Sequence, residues 1–409
     1  FSQKQSNTVA RRDFLKIGGA LGAGLWMGAQ WLWPREEEIK PPAQWVKPKT
    51  NIDSVLNIPR TKYSLPGLFP GKVVHALDEG AMTAAGPAPV VVKKMFARGM
   101  EALTGKKLAD CFGLFFTHDD VIGIKVNPMG GKGMSTHLEV VDEIVAWLLS
   151  SGMKPQNIVI WDRFDYMLTE AGFTAERYPG IRIVGMQTMD ANAFEETWNK
   201  LDPQAGAAIK PTWLDKNGEH LSAGNFDKEV YYWADVETPA EVTYLNKNVF
   251  AGKESYFGKI VTQGSTKIIN VPVFKNIAHG ISMATKNIAY GSICNCARLH
   301  FPLFLYVNTE VMAFPVIRDK LVLNITDGLI GQYDGGPQAD PRHQYRLNSL
   351  FFATDPIALD MTCHRMMVEK RKQMKINVNE HPRFSEYLHY GEQLGLGIAD
   401  TGKINFLRV

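Results

Sequence analysis

Two polar side chains stand at the end of an apolar run, where they could bind a negatively charged group. Lys125 and Asn127 follow the run that begins at Ile122, and residues 130–133 just beyond them include three glycines. Side chains two residues apart on a strand share one face. A lysine there could bind a carboxylate or a phosphate, and the glycines would let it approach backbone N–H donors. The alternative is a structural lysine that caps carbonyl groups.

A second polar group lies farther along the chain, between a predicted strand and the segment that follows it. It consists of Lys275, His279, Lys286 and Asn287. Buried cations are costly unless partners neutralise them. The candidate partners are Asp162, Asp327 and Asp360. Asp162 and Asp327 end predicted strands, and parallel strand ends share one rim, so these side chains are expected to converge with Lys125. The group could bind an anion or a divalent metal, or relay protons; a closed ion-pair network that fixes the fold is the alternative.

Asp355-Pro356 has the form of a helix start, since aspartate is a preferred N-cap and proline suits the first turn. Asp360 lies inside that predicted helix, where a buried carboxylate needs a partner. We therefore interpret Asp355 as structural and Asp360 as the functional member of the pair.

Cys294, Cys296 and His300 have a Cys-x-Cys-x3-His spacing that could ligate zinc or copper. Three ligands without an evident fourth do not define a metal site. The four cysteines of the chain lack the spacing of a ferredoxin-type cluster and are too few for a disulfide scaffold. We expect no iron–sulfur cluster in this chain and no other cofactor.

The elements that must position these residues alternate between strand-like and helix-like runs. Strands are predicted at 72–77, 120–126, 157–161, 267–273 and 321–326, and helices at 91–103, 137–151 and 355–372. This alternation predicts an α/β fold with a largely parallel or mixed central sheet and helices on both faces. The pattern weakens over about 187–264, which we interpret as an insertion subdomain, with a hairpin turn at Asn217-Gly218 and a possible strand at 230–233.

Four polar segments, taken in order, resemble the family known as domain of unknown function 362. They are residues 122–128, 270–287, 326–337 and 353–360, and the resemblance extends from about residue 71 to the ending Glu392-x-x-Gly395-Leu396-Gly397. The chain has one residue more between Lys275 and His279 than the family's Lys-x-x-His pattern, and it lacks the ferredoxin-like cysteine module of many members. The resemblance implies a fold and a site, but no reaction, because the activity of the family is not established.

The first residues have the pattern of an export signal. Residues 10–16, Ala-Arg-Arg-Asp-Phe-Leu-Lys, resemble a twin-arginine signal, and residues 17–33 then carry no charge and include five glycines. No clear small-x-small cleavage site follows. We expect Arg11 and Arg12 to direct export and residues 1–33 to act as signal and retained membrane anchor; a buried core helix is the alternative.

Residues 34–66 are rich in proline and charge, which favours an extended linker. We expect this linker to lie as a strap on another subunit, and residues 67–409 to form the α/β domain.

Charge and motifs exclude several classes of protein. The 409 residues include 45 Lys+Arg and 42 Asp+Glu, for a net charge of +3, which is too balanced for broad electrostatic binding of nucleic acid. The usual P-loop, zinc-protease and serine-hydrolase motifs are absent from the sequence.

Two functions remain open. The first is an accessory subunit of a membrane-bound complex, such as a respiratory or electron-transfer complex, held at the periplasmic or extracytoplasmic face by residues 17–33 and in contact with membrane subunits or redox proteins. The second is an extracytoplasmic enzyme or binding protein that takes a small anion or metal ligand in the Lys/Asp/His pocket.

Overall fold

The computed structural model describes residues 47–187, 222–236, 252–277, 280–300, 304–376 and 385–409. Its strands, in chain order, are β1 (Lys72–Leu77), β2 (Met82–Thr83), β3 (Gly86–Pro87), β4 (Ile122–Lys125), β5 (Ile158–Phe164), β6 (Arg182–Gln187), β7 (Phe226–Trp233), β8 (Glu254–Gly258), β9 (Lys267–Asn270), β10 (Val273–Ile277), β11 (Gly280–Ile281), β12 (Leu321–Gln332), β13 (Gln344–Ala353) and β14 (Asn405–Arg408).

The α-helices are α1 (Asp53–Leu56), α2 (Pro89–Thr104), α3 (Leu108–Phe115), α4 (Leu138–Ser150), α5 (Asp165–Glu170), α6 (Lys259–Thr262), α7 (Ala284–Gly291), α8 (Phe304–Ala313), α9 (Pro315–Arg318), α10 (Pro356–Gln373) and α11 (Glu386–Gln393). Single 3-10 turns occur at Gly131–Gly133, Pro155–Asn157, Ala223–Asn225, Ala297–Leu299 and Pro341–His343. Within the described ranges, no helix is both long and apolar enough to cross a lipid bilayer.

Ten of the described strands form one central sheet, in the order β14-β1-β13-β12-β9-β4-β5-β6, with β10 paired to β12 and β11 paired to β10. The run from β12 through β9, β4 and β5 to β6 is parallel. Strand β13 is antiparallel to both β12 and β1. The predicted α/β fold with a parallel or mixed sheet is therefore confirmed.

Apolar side chains cover both faces of this sheet. On strand β9, Ile269 packs into the cluster formed with helices α2, α3 and α4, whereas its neighbour Ile268 packs into the cluster formed with α7, α8 and α9. Successive strand residues point to opposite faces, so a strand that is covered on both sides is expected to be largely apolar. That requirement explains the continuous apolar runs seen in the sequence.

The structure differs from the predicted elements in two places. The run predicted at 267–273 is divided into β9 and β10, with Val271 and Pro272 between them, because proline cannot donate a ladder hydrogen bond. The strand predicted at 321–326 continues to Gln332, with a register irregularity between Gly328 and Ile330.

The described parts of the predicted insertion include an antiparallel hairpin, β7 with β8, which forms a two-stranded sheet of its own. The predicted strand at 230–233 lies in β7. The turn Asn217-Gly218 lies outside the described residues, as do the signal arginines Arg11 and Arg12 and the segment 17–33.

The described part of the predicted strap packs on the body of this chain. Lys47 forms an ion pair with the buried Glu310. Arg60 donates hydrogen bonds to the carbonyl oxygens of Leu394 at 2.9 Å and Gly395 at 2.8 Å. Polar partners in the same chain thus hold residues 47–66 on the body, and contact of this segment with another subunit stays a prediction.

Candidate functional site

Lys125 and Asp162 form a buried ion pair at the carboxyl ends of two parallel strands. Their side chains come from β4 and β5, which pair in register from Ile122 with Ile158 to Lys125 with Trp161. The ammonium group of Lys125 donates to Asp162 Oδ1, to the Val126 carbonyl oxygen at 2.8 Å and to Asn287 Oδ1 at 3.0 Å. Burial lowers the pKa of Lys125, and the Asp162 carboxylate opposes that shift.

Lys275, on β10, is fully buried and lies close enough to Lys125 and Asp162 for their charges to act on it. Its Nζ donates to Asn127 Oδ1 at 3.1 Å, and among the described residues no carboxylate bonds it directly. Burial lowers the pKa of Lys275 to about 7; the charges of Lys286 and Lys125 add to this shift, and Asp162 opposes it. A neutral amide cannot offset the charge of an ammonium ion, which is why the charged form is disfavoured.

Lys286 completes what we call the lysine cluster: Lys125, Lys275 and Lys286 with Asp162, Asn127 and Asn287. Lys286 lies on α7, and its side chain is buried. Burial lowers its pKa to about 8, and interaction with Cys296 opposes the shift. A Cβ at Gly291, on the last turn of the same helix, would overlap Lys125 Cε, so the absence of a side chain there makes room for the lysine.

Asn270 and Asn324, which the sequence analysis did not select, help to hold α7 on the sheet. Asn287 Nδ2 donates to Asn270 Oδ1 at 2.7 Å, and Asn270 Nδ2 donates to the Ala284 carbonyl oxygen and to Asn324 Oδ1, both at 2.9 Å. Asn270 ends β9 as Lys125 ends β4. The sequence signal for Asn270 was therefore the same as for Lys125, namely a polar residue at the end of an apolar run.

Asp360 supports the cluster without touching its lysines. Its Oδ1 accepts from the Ala284 N–H at 2.8 Å, and its Oδ2 accepts from the Thr285 N–H at 2.9 Å and the Thr285 hydroxyl at 2.6 Å. The carboxylate thus caps the N-terminus of α7, where negative charge is favourable. Burial raises the pKa of Asp360 to about 6 against these hydrogen bonds. Asp355 N-caps α10, as predicted, by accepting from the Ala358 N–H.

Asp327 does not end a strand, contrary to our prediction, because β12 continues to Gln332. It is within β12, and its Oδ2 accepts from the backbone N–H of His137 at 2.6 Å and lies 2.8 Å from His137 Nδ1. Burial lowers the pKa of His137, but the Asp327 carboxylate outweighs it and the pKa lies above its usual value. Asp327 therefore accepts a hydrogen bond at the N-terminus of α4, and it makes no hydrogen bond to a described lysine of the cluster.

Arg163 and Gln187 extend the lysine cluster along the rim, and the sequence analysis missed both. Arg163 is half-buried on β5; its Nε donates to Gln187 Oε1 at the end of β6, and its Nη1 donates to Cys296 Sγ at 2.6 Å. Gln187 and Cys296 are buried. A basic residue directly after Asp162 was the available signal.

The Cys-x-Cys-x3-His segment does not converge on one point. Cys294 Sγ accepts from the Tyr256 N–H at 3.2 Å, Cys296 Sγ contacts Arg163, and His300 Nδ1 lies 3.0 Å from the Cys296 carbonyl oxygen. Over the ranges that the structure describes, no three His, Cys, Asp or Glu side chains are grouped as metal ligands. His279 lies outside those ranges.

Fold and site together define an α/β protein with a buried, cation-rich cluster at the carboxyl ends of its parallel strands. Residues 187–365, less than half of the chain, match the family model described as Domain of unknown function (DUF362), which supports the family that the sequence motifs indicate. No curated protein matches the chain.

The chain is also similar to a solved structure, the crystal structure of a protein from Thermotoga maritima determined by the Northeast Structural Genomics Consortium. The identity is 8% and the TM-score 0.35, and the match covers 70% of this chain and 59% of that chain.

Proposed function

We propose that the protein binds a small anion, such as a carboxylate or a phosphate, at the lysine cluster. The observation that carries this proposal is Lys275, a fully buried amine that is hydrogen-bonded to a neutral amide. An anion beside Lys275 would supply the negative charge that Asn127 lacks. The same anion would be attracted by Lys286 and Lys125, whose charges act on Lys275.

Because of Lys275, the affinity for the anion should depend on pH. Its pKa lies at about 7 in the folded chain, so the amine is largely neutral above that pH. A bound anion favours the ammonium form and raises the pKa, so binding takes up a proton. Above pH 7 the affinity should fall by up to about tenfold per pH unit, because each unit of pKa shift corresponds to about 1.4 kcal/mol.

Isothermal titration calorimetry of the full chain with inorganic phosphate, and separately with acetate, tests the proposal. We expect saturable binding at pH 6.5 with weaker binding at pH 8.5, and a heat at pH 7.5 that depends on the ionisation enthalpy of the buffer. Lys275→Met should abolish the binding and its proton uptake.

Lys320→Met is the matched control. Lys320 is another lysine whose pKa is lowered by burial, to about 8, but it donates to the carbonyl oxygens of Val261, Thr262 and Ser265 at the end of α6. This variant should lose stability and retain phosphate binding. Equal binding by the wild type and Lys275→Met, or no binding of either anion at pH 6.5, would overturn the proposal.

A second candidate is the exported accessory subunit of a membrane-bound complex, with a cluster that only fixes the fold. It is favoured by the closed network of Lys125 with Asp162 and Asn287, which leaves the Lys125 side chain 1% exposed, and by the twin-arginine resemblance of residues 10–16. Copurification of the native protein with membrane subunits, without anion binding by the purified assembly, would favour this function.

Export itself has a separate test. Replacing Arg11 and Arg12 with lysine should leave the protein in the cytoplasm when the cells are fractionated. N-terminal sequencing of the native protein then examines the anchor: a chain that begins near Pro34 would contradict a retained anchor.

A further inference from the structure

A wide groove is bordered by three strands of the central sheet and by helix α10. Its volume is about 1180 Å³, slightly above the range of roughly 300–1,000 Å³ that is usual for small-molecule sites. Residues of β1, β13 and β14 line it, together with residues between Met361 and Gln373 of α10. Its described lining includes no member of the lysine cluster. The groove is therefore a candidate site separate from that cluster.

Aromatic and apolar side chains line the groove from one face of the sheet. Side chains two residues apart on a strand share one face, which places His75 and Leu77 together on β1. The His75 ring stacks on Phe351, with ring centres 4.4 Å apart, and lies 5.9 Å from the Phe406 ring, which is 44% exposed. Burial and the charge of Arg408 lower the pKa of His75 to about 4. At pH 7 the His75 ring is therefore neutral and adds aromatic surface without adding charge.

Helix α10 and the residues before β14 add flexible apolar side chains. Met361, Met366, Met367 and Val368 line the groove from α10, and Ile404 lines it from the segment that leads into β14. Methionine side chains are unbranched and polarisable, so they adapt to an irregular apolar surface. A lining of this kind suits an alkyl chain.

Basic side chains outnumber acidic ones along the same groove. The carboxylates of its described lining are those of Glu79 and Glu369. The cations of this lining are Arg346, Arg365, Lys370, Arg371, Lys372 and Arg408. A surface with this excess of positive charge is complementary to a negatively charged ligand and disfavours a positively charged one.

Two of these cations, Arg365 and Arg408, are exposed. Neither forms an ion pair with another residue in the described ranges. Arg371, in contrast, is buried and pairs with Asp334 at 3.4 Å. An incoming carboxylate can therefore bind Arg365 or Arg408 without breaking an existing pair, and hydrogen bonds from arginine to a carboxylate are among the strong ones in proteins.

We propose that this groove binds a single-chain anionic amphiphile, a carboxylate of the fatty-acid type. The alkyl chain lies on the aromatic and methionine side chains, where burial of each methylene group is favourable. The basic side chains at the groove hold the carboxylate. This site goes beyond the proposed anion site, because it lies outside the lysine cluster and recognises the alkyl chain as well as the charge.

Isothermal titration calorimetry of the native full chain tests the groove with two probes that share one alkyl chain. Dodecanoate carries a negative head group and dodecyltrimethylammonium a positive one, and both are titrated below the concentrations at which they form micelles. We expect saturable binding of dodecanoate and at least tenfold weaker binding of the cationic probe. Decanoate, which is shorter by two methylene groups, should bind about tenfold more weakly than dodecanoate.

Variants test the recognition of head group and chain separately. Arg365→Gln combined with Arg408→Gln should weaken dodecanoate binding at least tenfold. Arg182→Gln is the matched control, because Arg182 is an exposed arginine on β6, at the opposite end of the central sheet, and this change should leave the affinity unaltered. Phe406→Ser should weaken both probes about fivefold. Tyr231→Ser, which removes a similarly exposed ring from β7, should weaken neither.

Several results would overturn the proposal. Equal affinity for the two probes, or equal dodecanoate affinity of the double arginine variant and the wild type, would contradict recognition of the negative head group. Loss of dodecanoate binding in Lys275→Met, with full binding by the double arginine variant, would assign the carboxylate to the lysine cluster. Sedimentation with phosphatidylglycerol vesicles, without saturable binding of monomeric dodecanoate, would assign this surface to a membrane.

The proposed anion site and the groove can fail independently. Dodecanoate binding that is retained in Lys275→Met and lost in the double arginine variant would support the groove, whether or not the chain binds phosphate. Phosphate binding without dodecanoate binding would support the lysine cluster and overturn the groove.

Discussion

Burial lowers the pKa of the Lys275 amine, so the charge state of this residue should affect the free energy of unfolding of the whole chain. Its pKa is lowered from 10.5 to about 7 on folding. Between these two values the unfolded chain binds more protons than the folded chain, so the free energy of unfolding rises with pH. Below pH 7 both states are charged, and the folded chain bears the full cost of the buried ammonium ion.

The first prediction is that this pH dependence disappears in Lys275→Met. In the wild type without anions, Lys275 should contribute a rise of up to about 1.4 kcal/mol per pH unit between pH 7 and 10. The variant should lack this contribution, as measured by urea denaturation at several pH values. Identical slopes for both proteins would show that Lys275 has an ordinary pKa.

A second prediction concerns the ion pair of Lys125 and Asp162. Asp162→Asn should lower the free energy of unfolding by about 3 to 5 kcal/mol, because it leaves the buried ammonium ion without its carboxylate. Adding Lys125→Met should recover most of that loss. Chemical denaturation of the two single variants and the double variant measures the coupling.

The exposed pair of Arg177 and Asp142 provides the control for that cycle. These side chains are 39% and 36% exposed, and Asp142→Asn should cost no more than about 1 kcal/mol. If both aspartate variants lost the same small amount, the Lys125–Asp162 pair would have to be solvated rather than buried.

For individual residues, the sequence was informative where a single rule applied. The rule is that polar residues at the carboxyl ends of parallel strands lie at the same edge of the sheet. The rule places Lys125 and Asp162 together. For Asp327 the predicted strand end is wrong, because β12 continues to Gln332, and strand length depends on the pairing partner β13, which no local pattern shows. It also could not show that Asp360 binds α7, because that contact joins residues about 75 positions apart.

Among the elements, helix α7 links the cluster to the sheet and depends on one carboxylate. It is only eight residues long, too short to be stable without tertiary contacts. Its first turn is held by Asp360 and its middle by Asn287 with Asn270. The position of Lys286 follows from these two attachments.

The third prediction is that Asp360→Ala weakens phosphate binding through α7. The Ala284 and Thr285 N–H groups lose their acceptor, so the free energy of unfolding should fall by roughly 2 to 4 kcal/mol. The affinity for phosphate, measured by calorimetry at pH 6.5, should fall about tenfold or more because Lys286 is no longer held in place.

Asp355→Ala is the comparison for this test. Asp355 also caps a helix, α10, and accepts from the N–H groups of Gly71 and Ile398, but it holds no element that carries a cluster lysine. It should lose similar stability and retain the phosphate affinity of the wild type. Equal losses of affinity in both variants would mean that destabilisation alone explains the effect.

Element boundaries were predictable wherever a strand or helix is defined by its own apolar pattern. Strand β1 begins and ends as predicted, and α4 and α10 lie within one residue of the predicted bounds. No strand was predicted at Gly280–Ile281, where β11 precedes α7. That strand, β11, exists through its pairing with β10, which the sequence does not reveal.

For the whole molecule, the segment before β1 binds to residues near the other end of the chain. Arg60 bonds Leu394 and Gly395, and Arg318 Nη2 donates to the Pro59 carbonyl oxygen at 3.1 Å. Composition alone predicted a linker here. It could not predict this attachment, because the acceptors are carbonyl oxygens, and every residue has one.

The fourth prediction is that Arg60→Ala opens this segment to protease. Losing hydrogen bonds from a charged donor should raise chymotryptic cleavage near Tyr63 by up to about tenfold, as local opening becomes easier. Asn57→Ala, at an exposed position of the same segment, should leave the rate unchanged. Equal cleavage of wild type and Arg60→Ala would show that other contacts hold the segment.

The pairing of β1 also determines when the sheet can be completed during synthesis. His75 pairs with Phe351 of β13 on one side and with Arg408 of β14 on the other, so β1 leaves the ribosome long before either partner. Contacts between residues so distant in sequence form slowly, because a large loop must close first. A nascent chain that stops before β13 would therefore expose an unpaired apolar strand, and a chaperone that binds such strands would have to act before synthesis ends.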